Sequence, residues 1–125
     1  MPLVPQKDEL YLKERGFNYE LTQATTEVYL VIHGWEFPAA YAPRVADVLI
    51  IIPPSYPLNK LDMFWTLPDI KLAATGAWPE ASAEHQTYDG KTWQRWSRHV
   101  EEWRSGVDSL RTFIAAITSE INRGV

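Results

Sequence analysis

Val45-Ala46-Asp47-Val48-Leu49-Ile50-Ile51-Ile52 is an almost unbroken apolar run, and it stops abruptly at Pro53-Pro54. Its length and β-branched content fit a strand covered on both faces, and two successive prolines cannot continue a hydrogen-bonded ladder. A central strand is therefore expected over 45–52. Downstream, Ser55-Tyr56-Pro57 reads as a tight proline turn, and Leu61-Asp62-Met63-Phe64-Trp65 as a second strand broken by Leu67-Pro68. Upstream, Phe17 to Leu21 alternates apolar with polar residues, and Val28 to Ile32 is β-branched and aromatic. A Thr-rich turn over 22–26 joins those two. His33-Gly34 is expected to close the strand, and 35–44 to form a loop with two prolines. The four runs together predict a four-stranded antiparallel meander.

Helices are expected at both ends. Gln6 to Arg15 places Leu10, Tyr11 and Leu12 among charged residues and meets a glycine stop at Gly16. Val107, Leu110, Phe113, Ile114, Ile117 and Ile121 recur at helical spacing, which predicts a C-terminal helix laid across one face of the sheet. Ser105-Gly106-Val107-Asp108 is its expected start, and Arg123-Gly124 its stop. Residues 69–92 sustain neither period, except for a short extended piece at 69–74. A long irregular stretch in so small a chain is usually functional.

Composition narrows the chemistry. A chain of 125 residues with 46% hydrophobic content is expected to form one domain, 1–125, with content enough for a single core. Twelve basic against sixteen acidic residues give a net charge of -4, without the positive field that nucleic-acid binding requires. No cysteine is present, which removes disulfides, thiolate metal sites and thiol nucleophiles together. The three histidines lack short ligand spacing, so neither metal nor cofactor is expected. No apolar run approaches the ~20 residues of a membrane span, and a cytoplasmic protein is expected.

The candidate site is Asp89 to Asp108, where Trp93, Trp96 and Trp103 alternate with arginines, a histidine and two serines. Aromatic runs are more often packing than chemistry. Here each ring is followed closely by a polar group able to act, Ser97 and His99 above all.

The order of elements resembles the ubiquitin-conjugating enzymes: an α+β fold with a short N-terminal helix, a four-stranded meander, a Tyr-Pro turn, a long active-site segment and a C-terminal helix. Ile52-Pro53-Pro54-Ser55-Tyr56-Pro57 and Trp103-Arg104-Ser105-Gly106-Val107 carry that likeness. Asp62-Met63-Phe64-Trp65 and Gly90 to His99 look more specifically like a bacterial branch. Its operons also encode a ubiquitin-like protein, an activating enzyme and a deconjugating peptidase. The resemblance implies those partners, a target lysine and an association with antiphage defence. It departs from the eukaryotic pattern in lacking His-Pro-Asn and any cysteine. Ser97, six residues before Trp103, stands in the equivalent place. A native serine there implies an oxyester carrier; a serine replacing a catalytic cysteine is the other reading.

A serine hydroxyl needs a base in order to attack. His99 shares a side with Ser97 if the chain is extended, and His85 is its rival. Gln94, Arg95 and Arg98 are candidate oxyanion or orienting groups. Asp89 could orient a histidine, although Asp-Gly is first a turn signal. Two alternatives stand beside the carrier reading. One is a non-catalytic module of the same fold that binds a ubiquitin-like protein or scaffolds the activating enzyme. The other is a hydrolase or nuclease built on His85, His99 and Asp89.

Overall fold

The computed structural model describes residues 3–97, 103–105 and 107–123. In chain order the elements are α1 (Gln6–Glu14), β1 (Asn18–Gln23), β2 (Val28–Glu36), β3 (Tyr41–Ala42) and β4 (Val45–Ile52). They continue with β5 (Phe64–Leu67), β6 (Lys71–Leu72), β7 (His85–Tyr88), β8 (Lys91–Trp96) and α2 (Leu110–Arg123). The chain is α+β as expected, but its main sheet has six strands in the order β1-β2-β4-β5-β8-β7, not four. The extra pair is a hairpin inserted against β5, and β3 with β6 forms a separate two-stranded piece.

β4 keeps its expected bounds, and the structure explains its lack of alternation. Ala46, Val48, Ile50 and Ile52 face the main core. Leu49 and Ile51 face a second cluster around Trp65 and Trp93. β2 runs past its expected end because Gly34, at φ 70°, absorbs one extra residue as a bulge. Pairing then resumes at Trp35 with Ala46.

α1 ends as the glycine signal predicts. The Gly16 N–H donates to Lys13 O at 3.0 Å and the Phe17 N–H to Leu12 O at 3.2 Å, a Schellman cap around left-handed Gly16. The start of α2 differs from expectation. Asp108 directs its carboxylate back to the Arg104 N–H (2.7 Å) and guanidinium, so it does not cap the helix. Ser109 does, with its N–H donated to Thr112 Oγ1 at 2.9 Å and its carbonyl accepting from the Phe113 N–H. Val107 accordingly lies before the helix and is 58% exposed. Gly106 and Gly124 lie outside the described residues.

Leu110, Phe113, Ile114, Ile117 and Ile121 bury the helix stripe in one core with β2, β4 and Leu12 of α1. The Tyr-Pro turn ties this layer together. Tyr56 donates its hydroxyl to buried Asp8 at 2.6 Å and accepts the Leu110 N–H at 2.7 Å, which joins α1, the turn and α2.

Candidate active site

The site is built on β8. Trp96 points into the main core, stacks on Phe64 at 5.2 Å and donates Nε1–H to Thr66 Oγ1 at 2.9 Å. Trp93 points the opposite way, into the cluster with Leu49 and Trp65. Rings on both faces fix the strand in the sheet, because successive side chains of a strand alternate between its faces. The chain is anchored again at Trp103, whose ring lies 6.2 Å from that of Tyr56 and whose Nε1–H donates to Pro57 O at 3.0 Å. Ser97 follows the first anchor directly and is half-buried.

The backbone around Ser97 is unusual. Its N–H donates to Ala81 O at 2.9 Å, so that donor is already engaged. The last β5–β8 pair is Phe64 with Trp96, which brings Met63 alongside Ser97. Met63 and Ala81 adopt φ of 59° and 54°. Such left-handed non-glycine residues cost on the order of 1–3 kcal/mol each and cluster at functional sites.

The remaining candidates separate by face and by distance. Arg95 shares the face of Ser97, about 7 Å away along the strand. Its Nη2 donates to Glu84 Oε2 at 2.6 Å. Gln94 faces the core instead, fully buried, and its amide is saturated. Oε1 accepts from Ile70 N–H (2.6 Å) and Thr66 Oγ1 (3.0 Å), while Nε2 donates to Ile70 O (2.9 Å). Gln94 is a pin between β8 and the chain after β5.

His85 pairs with Gln94 across β7–β8 and so projects on the face away from Ser97, roughly 10 Å along the strand. There its Nε2 meets Asp69 Oδ1 at 2.9 Å, and its ring lies edge-on to Trp78 at 5.4 Å. Asp89 occupies the hairpin turn with Gly90, at φ 52° and 75°. That is the pairing a two-residue type I′ turn requires, and it sits at the far end of β8 from Ser97, roughly 20 Å away. The structure therefore brings Ser97 and Arg95 together and leaves Gln94, His85 and Asp89 elsewhere. Arg98 and His99 lie outside the described residues.

Glu84, the partner of Arg95, carried no sequence signal, because it stands in an irregular stretch eleven residues earlier. Among the described residues no group of three or more metal-ligating side chains is arranged to hold an ion. No described helix is long and apolar enough to cross a membrane.

No curated protein and no solved structure matches the chain. The family described as prokaryotic E2 family E matches residues 4–124. With nearly its whole length matched, the chain belongs to this family, whose role is ubiquitin-like protein conjugation.

Proposed function

We propose that this protein is a conjugating enzyme that carries an activated ubiquitin-like C-terminus as an oxyester on Ser97 and passes it to a target lysine in the cytoplasm. The observation supporting this is the placement of one half-buried hydroxyl, at the exit of a strand fixed on both faces and between two left-handed residues. In loading, Ser97 Oγ attacks the thioester carbonyl held on the activating enzyme. The O–C bond forms, the C–S bond breaks, the hydroxyl proton passes to a base, and the departing thiolate is reprotonated. In transfer, the lysine amine attacks the ester carbonyl; the C–N bond forms, the C–O bond breaks, and an amine proton returns to Ser97 Oγ.

His99, two residues beyond Ser97, is the base in this scheme. Arg98 stabilises the oxyanion and Arg95 orients the incoming tail, since the Ser97 N–H is engaged by Ala81. A second reading, a non-catalytic binder of a ubiquitin-like protein or its activating enzyme, draws on the absence of cysteine. It also draws on His85, which turns to the face away from Ser97.

Incubation with activating enzyme, mature ubiquitin-like protein, ATP and magnesium, followed by a denaturing gel, separates the two. An adduct that resists reducing agent, is cleaved by mild hydroxide and is lost in Ser97→Ala supports the carrier. An adduct seen only with Ser97→Cys, or binding without any adduct, overturns it.

A further inference from the structure

We propose that Arg95 determines the specificity of this site: its guanidinium hydrogen-bonds a backbone carbonyl of an extended peptide tail whose terminal carbonyl carbon lies at Ser97 Oγ. The inference rests on Ser97 being the acyl acceptor.

The first support is spacing. β8 stays extended beyond Trp96, because the N–H groups of Arg95 and Ser97 both donate to the adjoining segment, at Glu84 O (2.8 Å) and Ala81 O (2.9 Å). Arg95 and Ser97 therefore share one face with a repeat of roughly 7 Å. An extended peptide has the same repeat, so its carbonyls two residues apart point the same way at the same ~7 Å spacing. A tail lying along this face with its terminal carbonyl at Ser97 brings the carbonyl two positions earlier to Arg95.

The second support is the state of the guanidinium. Glu84 holds one corner at 2.6 Å, from a side chain 72% exposed, which orients the planar fork. Arg95 Nε is buried and has no acceptor among the described residues. Buried donors are nearly always satisfied, so one left over needs an explanation. Nε itself is closed to solvent and anchors the plane of the fork, while the side chain as a whole keeps a quarter of its surface exposed, so it is the outer guanidinium donors not held by Glu84 that face an incoming tail.

Two synthetic thioesters test this, N-acetyl-alanine and N-acetyl-tetraalanine, with adduct formation on the intact chain followed by mass spectrometry. Only the longer probe supplies a carbonyl two positions back. Wild type is expected to prefer it in kcat/KM on the order of tenfold, the size of one hydrogen bond to a charged group, and chiefly through KM. Arg95→Gln is expected to lose that preference. Arg95→Lys, which keeps the charge beside Glu84 but lacks the fork, is expected to lose it too and guards against misfolding of the first variant. Adducts without a length preference in wild type, or a preference kept in both variants, overturn this inference alone. No adduct from either probe on wild type that the activating enzyme still charges overturns this inference alone; no charging by either route removes Ser97 as acceptor, and this inference falls with it.

Discussion

Replacing Gln94 by methionine keeps the length of the side chain and removes its amide, and the cost can be worked from its contacts. Three hydrogen bonds of 2.6, 3.0 and 2.9 Å are lost. Two of them satisfy the N–H and carbonyl of Ile70, a residue with no exposed surface. A hydrogen bond contributes about 1 kcal/mol net, and a buried group left unpaired costs about 1–3 kcal/mol. With both Ile70 groups stranded and Thr66 losing an acceptor, the expected loss is ~3–5 kcal/mol. That is a large part of the ~5–15 kcal/mol that stabilises a small domain. Urea denaturation should therefore show a midpoint much below that of wild type with an unchanged m value. A loss under ~1 kcal/mol would refute the assignment of Gln94 as a pin.

Three further outcomes follow from the same contacts. Tyr56→Phe removes the hydroxyl joining Asp8 to the Leu110 N–H and should cost ~2–4 kcal/mol in urea denaturation, because both groups are left unpaired. Partial burial works against a charge on His33, but the hydrogen bonds it donates to the Asp47 and Glu20 carboxylates outweigh it and hold the imidazole protonated above its ordinary range. That stabilisation is fully present below the unfolded pKa of about 6.5 and is lost as pH rises through the raised value. The melting-temperature gap between wild type and His33→Gln should accordingly shrink from pH ~5.5 to ~8.5; a constant gap contradicts this. Hydrogen bonds from the Arg104 side chain and backbone hold the Asp108 carboxyl below its usual range. Its contribution is present above about pH 3.9 and is lost as pH falls through the lowered value, so Asp108→Asn should flatten the acid limb of the stability curve.

The elements visible in the sequence are those whose residues decide their own conformation. Val45 to Ile52 was legible because its apolar run meets two prolines, and α1 because Gly16 takes the left-handed cap. The β7–β8 hairpin was hidden, although Asp89-Gly90 marked its turn. His85-Gln86-Thr87-Tyr88 is polar on both sides of an edge strand, and its ladder exists only because β8 lies beside it. The site was legible as a stretch and not as an arrangement. Trp93, Trp96 and Trp103 marked the segment, but that it is a strand, and the face on which each polar residue lies, depend on pairing and register. Gln94 and Arg95 are one position apart, and that single step along the strand turns the first inward and the second to the face of Ser97. Gln94 and His85 thus share the face away from Ser97, which spacing in the sequence did not reveal.

The central claim is that Ser97 carries the acyl group, and the most direct measurement is trypsin mapping of the charged protein by mass spectrometry. Cleavage after Arg95 and Arg98 isolates Trp96-Ser97-Arg98. The account predicts the tail remnant on that peptide, released by mild hydroxide and absent from Ser97→Ala. A remnant found only on lysine side chains, or that peptide recovered unmodified from protein shown to be charged, would contradict it.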